Sequence, residues 1–260
     1  MQYGICNLAI IPMRLEPSHK AEMVNQMLFG ELYSVLETYN NWYKIVLQHD
    51  NYIGWIPHTG YNPISTNDFN KILNQKPYIS GNLYTHIKVV NSYIEEWLPA
   101  GSFLYPINNN TFYAGNIRFS INSKDDVILI KDHQEYSIYS AASLFIGSPY
   151  LWGGRSPMGI DCSGLVQIAA RMAGIFLPRD TSEQVHKGET IDFISEARAG
   201  DIAFFEDNEG NIIHTGIIND NGDIIHAHGY VRIDGIDHNG IYNKDTYVYS
   251  HKLRIIKRIT

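Results

Sequence analysis

Cys162, one of only two cysteines in this 260-residue chain, stands in the stretch GIDCSGLVQIAARMAG, residues 159–174. After it come Leu165, Val166, Ala169 and Met172 at helical intervals, with Gly174 beyond, so the spacing predicts a helix that begins at the cysteine itself. A thiol so placed feels the positive end of the helix and its unbonded N–H groups. These lower its pKa, favour the thiolate, and can stabilise an oxyanion that develops beside the sulfur. The placement sets Cys162 apart from a cysteine packed as a small hydrophobe. A sulfur nucleophile also needs an imidazole within reach, oriented by a third group. His214 lies inside NIIHTGII and His226 inside DIIHAHG, twelve residues later. Neighbouring strands run about 4.8 Å apart, so side chains facing each other across them can hydrogen-bond. His228 shares a face with His226 and competes for the third role, although it abuts Gly229 at the strand's end. A three-histidine metal site built from His214, His226 and His228 is the rival chemistry, but it leaves the cysteine's position unexplained.

The elements that must hold these groups begin near residue 131, where the pattern changes. YSIYSAASLFIG has helical spacing and stops at Gly147; RDTSEQVHKG offers Thr181 with Gln184 three residues on, the signature of a capped short helix. Three short strands follow, DIAFFE, NIIHTGII and DIIHAHG, joined by the turns DNEGN and NDNGD. A helix that starts at a cysteine and an antiparallel meander that carries histidines make an α+β domain over residues 131–260. Residues 1–62 predict a small all-β unit from ELYSVLETY, NWYKIVLQ and NYIGWIP, separated by NN and HDN turns. Residues 63–80 are polar and proline-punctuated, and predict a linker with room for a short helical turn. The β-rich runs that follow, up to residue 130, predict a second and divergent small barrel. Trp42, Trp55 and Trp97 are expected in barrel cores or rims, and Cys6 as an inert packed thiol.

Composition narrows the partners. A net charge of -7 without any cluster of Lys and Arg argues against nucleic acid. Two cysteines form neither a disulfide framework nor a cysteine zinc site. No segment approaches the ~20 apolar residues that cross a bilayer, and the N-terminus lacks the pattern of a secretion signal. The expectation is a cytoplasmic monomer with neither cofactor nor metal, a trimmed signal peptide being the alternative.

Taken together, YLWGGRSPMGIDCSGLVQ, LPRDTSEQ, AGDIAFFE, IIHTGII and IIHAHG resemble the NlpC/p60 cysteine peptidases, which have a papain-like fold and cut cell-wall peptides. The two β-rich segments upstream resemble bacterial SH3-like (SH3b) domains, a combination similar to the γ-D-glutamyl-L-diamino acid endopeptidases. The resemblance implies Cys162 as nucleophile, His214 as general base and acid, and His226 as the residue that orients the base. It implies Tyr150 as a hydroxyl donor at the oxyanion site, and Trp152, Asp161 and Ser163 as lining of the substrate groove. Asp161 would also attract the cationic N-terminus of a short peptide. In the first SH3b domain it implies a tyrosine and an acid that contact that amine, for which Tyr52 and Glu22 are the matches, with Glu16 and Glu31 as competing acids. Arg179 and Asp180 are explained equally by substrate contact or by an ion pair that braces a helix start.

The implied substrate is a short murein peptide, L-Ala-γ-D-Glu-diamino acid, cut at the γ-D-Glu bond during cell-wall recycling. Whether the diamino acid is L-Lys or meso-diaminopimelate stays open. The rivals are a secreted hydrolase of polymeric wall anchored by its SH3b units, a catalytically silent wall-fragment-binding module, and an acyltransferase on the same nucleophile.

Overall fold

Short strands dominate, because β-branched and aromatic residues alternate with polar ones over runs of four to eight residues. The computed structural model describes residues 2–129 and 137–259, and the chain divides into two compact units on either side of residue 134. The boundary expected at residues 130 and 131 lies outside the described residues.

In the N-terminal unit a seven-stranded antiparallel sheet is built from Gln2–Ile5, Ile10–Arg14, Met23–Leu28, Leu32–Tyr39, Trp42–Leu47, Ile53–Pro57 and Pro63–Ile64. The NN and HDN turns fall where the sequence puts them, with Asn40 (φ 49) and Asn51 (φ 60) in the left-handed conformation that asparagine tolerates. The sheet wraps a core of Cys6, Ile11, Met13, Met27, Tyr33, Ile45, Leu47 and Ile56. Burial pushes the Cys6 thiol far up, as an inert packed cysteine requires.

The stretch expected to be a linker instead carries an eight-residue helix, α1 (Thr66–Leu73), capped by the Ser65 hydroxyl. Phe69 of α1 enters a second core with Ile5, Phe29, Leu32, Ile87, Leu98 and Phe119. That core therefore runs from the first sheet into a four-stranded and a three-stranded sheet formed by residues 78–129. Phe29 meets Phe119 edge to face at 5.2 Å. Trp42 and Trp55 are buried, whereas Trp97 is exposed on Glu95–Pro99 and packs against the His86 ring.

The C-terminal unit is α+β, as expected. Helix α2 (Ile138–Ser143) opens with a reciprocal Ser137–Ser140 capping box, and α3 (Cys162–Met172) is buried at every position. Helix α4 (Thr181–Gln184) starts one residue earlier than the sequence suggests: Asp180, not Thr181, is the N-cap, and no side chain bonds there. The helices accompany a seven-stranded sheet with the order Glu189–Ile191, Val248–Arg258, Ile202–Glu206, Ile212–Ile218, Ile224–His228, Tyr230–Asp237 and Gly240–Asn243. Among the described residues, no helix is long and apolar enough to cross a membrane.

Candidate active site

The start of α3 is held by Asp161. Its carboxylate accepts from the Gly164 amide at 2.7 Å and the Gly153 amide at 2.8 Å, and the Ser163 hydroxyl donates to it at 3.2 Å. The Arg179 guanidinium donates to both Asp161 and Ser163. All three side chains are buried. Gly164 has to be glycine for this packing, since a Cβ there would lie 2.2 Å from the Gly154 carbonyl oxygen. Asp161 and Ser163 thus form the cap of α3 and its ion pair with Arg179. Arg179 braces the helix start, as one of the two readings had it, through the carboxylate of Asp161.

Cys162 follows this cap with its side chain 7% exposed. The backbone amides of Thr215 and Ser163 reach its sulfur, which seats the thiol against the strand Ile212–Ile218 beside His214. The low pKa expected of a helix N-terminus is not what this site has. Burial, reinforced by the Asp161 charge, pushes the thiol up to about 12 and outweighs the two amides and Arg179. Burial pushes His214 well below its ordinary value, and the nearby rings of His251, His226 and His228 add to it. Both shifts favour a thiol and a neutral imidazole at rest. Alkylation of native Cys162 by iodoacetamide should then accelerate about tenfold per pH unit between pH 7 and 10, because only the thiolate reacts. A rate already level above pH 5 would reveal a preformed thiolate–imidazolium pair instead.

The histidines come together through strand register. Gly216 pairs with His226, and His226 with Arg232, so His214, His226, Arg232 and Asp234 share one face of the sheet. Nε2 of His214 lies 2.9 Å from Nδ1 of His226, and Nε2 of His226 lies 3.0 Å from Oδ2 of Asp234. Gly216 leaves the face open there; a Cβ would meet the Ile224 side chain at 2.7 Å. His226 and Asp234 are fully buried. His228 is exposed on the same face, its ring 6.5 Å from that of His214. His251 stacks on His214 with centroids 4.1 Å apart. Among the described residues no cluster has the make-up of a metal site, and the direct His214–His226 contact occupies the nitrogens such a site would need.

Tyr150 is anchored by its amide to the Gly229 carbonyl at 3.0 Å and is bridged to Ile160. Partial burial, then the charges of Cys162 and Asp161, push its phenol up to about 12, so it stays a hydrogen-bond donor at neutral pH. Trp152 is 60% exposed nearby in sequence.

Tyr52 and Glu22 belong to the N-terminal unit. Tyr52 is half-buried and its hydroxyl donates to the Val24 carbonyl at 3.4 Å, which sets it along the strand that follows the exposed Glu22. Of the competing acids, Glu16 is exposed, whereas Glu31 is fully buried, accepts from the Leu28 amide at 2.9 Å and faces His49.

Sequence reasoning missed Asp234 and His251. Asp234 was within reach of it: a turn at Gly229 folds VRID back on IIHAH, and alternation places Arg232 and Asp234 on the face of His226. His251 was not, because nothing local ties residue 251 to residue 214.

Residues 147–252 match the NlpC/P60 family, and residues 13–60 match the bacterial dipeptidyl-peptidase SH3 domain. A γ-D-glutamyl-L-lysine dipeptidyl-peptidase from Bacillus subtilis is 36% identical over 92 residues, which is 35% of this chain and 31% of that one. A probable endopeptidase from Mycobacterium tuberculosis is 36% identical over 115 residues, 43% of this chain and 29% of the other. The chain thus matches about a third of the length of these curated relatives. An NlpC/P60 family protein from Bacillus cereus has the same fold throughout, with a TM-score of 0.82 at 17% identity over 98% of this chain and 99% of that one. The family match encloses Cys162, His214 and His226 together, and with the N-terminal match it shows that this chain carries an NlpC/P60 domain behind a bacterial SH3 domain.

Proposed function

We propose that the chain is a cysteine endopeptidase that cuts the γ-D-Glu–diamino acid bond of short murein peptides bearing a free N-terminal L-Ala. The observation that carries this reading lies at the start of α3, a buried thiol on the helix's first residue seated against the strand of His214, whose Nε2 is held by a second histidine.

The chemistry follows from the resting protonation states. Nε2 of His214 is engaged with His226, so Nδ1 is the nitrogen left to take the Cys162 proton as the sulfur attacks the γ-carbonyl. The Cys162 amide at the head of α3 and the Tyr150 hydroxyl hold the oxyanion; one such donor is typically worth about 10²–10³ in rate. The imidazolium returns its proton to the leaving α-amine of the diamino acid, general acid–base help worth about 10²–10⁴. Water, deprotonated by the same imidazole, then hydrolyses the thioester and frees the enzyme. A neutral starting pair suits this cycle, because a histidine that rests unprotonated can act first as base and then as acid.

Two features support the substrate. Relatives include γ-D-glutamyl-L-lysine dipeptidyl-peptidases, and the N-terminal match is to the SH3 domain of bacterial dipeptidyl-peptidases. Asp161 is already paired with Arg179, so a further acid would strengthen recognition of the peptide's ammonium. Glu22 and Tyr52 are the residues that the family resemblance assigns to it. A demand for a free amine selects released peptides over intact wall, whose stem peptides are amidated to the glycan, and so favours a cytoplasmic recycling role for a monomer.

The test is a mass-spectrometric digest of L-Ala-γ-D-Glu-meso-diaminopimelate, its L-Lys counterpart and the N-acetylated form of each. Release of L-Ala-D-Glu from the free peptides alone supports the reading. Equal cleavage of the acetylated forms would move the enzyme to the polymeric wall. Intact peptides throughout would leave a binding module.

A further inference from the structure

Behind His226 the sheet holds a carboxylate that the catalytic cycle above never touches. Asp234 is fully buried on Tyr230–Asp237, two residues along its own strand from Arg232. Its Oδ1 accepts from Nη2 of Arg232 at 2.9 Å and from the Lys244 amide at 3.0 Å. Its Oδ2 faces Nε2 of His226 at 3.0 Å and lies 2.8 Å from Nε of Arg232. Arg232 is itself anchored by Asp245 at 2.6 Å. We propose that Asp234 is the positioning residue that sets the tautomers of both His226 and His214, and so decides whether the nitrogen offered to Cys162 carries a proton.

The argument is proton bookkeeping along one line of contacts. A carboxylate only accepts, so Nε2 of His226 has to carry the hydrogen. A neutral His226 then has a bare Nδ1, which can only accept, and Nε2 of His214 has to carry the hydrogen that fills the 2.9 Å gap between them. A neutral His214 so fixed has a bare Nδ1, the form a base needs. The premise that both rings are neutral agrees with their surroundings. Burial lowers His226 against the pull of Asp234, and lowers His214 further with the help of three neighbouring rings. Asp234 stays charged because His226, the Lys244 amide and Arg232 together outweigh its own burial. The groups facing the line are His228 from the strand of His226, Arg232 from the strand of Asp234, and His251 from Val248–Arg258.

This assignment rests on the reading of His214 as the base, and an amide in place of the carboxylate separates the two. In Asp234→Asn the side chain keeps its shape, and its orientation is set by the donors around it. The Oδ1 position faces two N–H donors that cannot give up their hydrogens, Nη2 of Arg232 and the Lys244 amide, against one beside Oδ2, Nε of Arg232, so the oxygen is favoured at Oδ1. The NH₂ then points at His226, whose ring can change tautomer to accept it. His226 becomes Nδ1–H, His214 becomes Nδ1–H in turn, and the His214 nitrogen outside the His226 contact is blocked. The corresponding carboxylate-to-amide change in serine proteases costs about 10⁴-fold in kcat through the wrong tautomer.

The experiment is NMR of the full chain labelled with ¹⁵N-histidine, read beside peptide-cleavage kinetics, for the wild type and Asp234→Asn. The rings are assigned from His214→Gln and His226→Gln spectra. The expected result is Nε2–H on both rings in the wild type, Nδ1–H on both in the variant, and kcat lower by about 10³–10⁴-fold with KM unchanged. Nδ1–H on either ring of the wild type overturns the proposal, whether or not the variant folds. A variant that keeps both rings as Nε2–H, or keeps its kcat after flipping them, overturns it as well. A wild type that cuts no murein peptide removes the functional reading, while the ring tautomers still decide the role of Asp234.

Discussion

Cys162→Ser is expected to lower kcat on the murein tripeptide by about 10⁴-fold or more while leaving KM and the melting temperature close to those of the wild type. The exchange is nearly isosteric in a site only 7% exposed, so packing at the head of α3 is retained. What changes is the nucleophile. A hydroxyl gives up its proton far less readily than a thiol, and here burial and Asp161 already oppose ionisation. His214 would then have to remove a proton it can barely take. The companion measurement is His214→Ala alone and in combination. If the thiol and the imidazole act as one unit, the base has nothing left to activate once the sulfur is gone, and the double variant falls little below the worse single one. Losses that multiply would mean that the two groups act in separate steps.

How much of this site the sequence disclosed depended on whether the constraint was local. The position of Cys162 on the first residue of a helix follows from a polar cap, a pair of glycines and an apolar stripe, all within one short stretch. The pairing of His214 with His226 follows from two strands joined by a tight turn. Both are present in the structure, with the thiol against the His214 strand and the rings 2.9 Å apart at their nitrogens. The same kind of reasoning would have reached Asp234, because it lies on the next strand of the same meander.

The ionisation state of Cys162 was not legible in that way. A helix N-terminus lowers a thiol pKa and burial raises it, and the burial is set by everything that packs on the thiol. Here the Ile212–Ile218 strand covers it, and desolvation wins over the dipole. Asp161 shows the same limit. Its type and place suggest a helix cap, but its buried partner, the guanidinium of Arg179, lies eighteen residues away and is not a local signal. In the N-terminal unit, polar residues and prolines made 63–80 read as a linker. Yet Phe69 lies among them and buries into the shared core, which is enough to hold an eight-residue helix that propensity alone would leave marginal.

The cap on α3 gives the second large effect. Asp161→Ala is expected to destabilise the catalytic unit by about 3–5 kcal/mol, because it takes the balancing carboxylate away from a buried guanidinium. The Gly164 and Gly153 amides lose their acceptor as well, and the N-cap is gone. A fall in melting temperature on the order of 10 °C follows for a domain of this size. Activity should drop with it even where the protein remains folded, since the first turn of α3 aims both the Cys162 sulfur and its amide. The double variant Asp161→Ala/Arg179→Met discriminates the causes. It removes the buried charge along with its partner, so it should melt above the single variant despite carrying one more substitution. Its cap stays broken, so its activity should remain low. If both variants melt together, the ion pair contributes little, and the loss belongs to the two backbone amides.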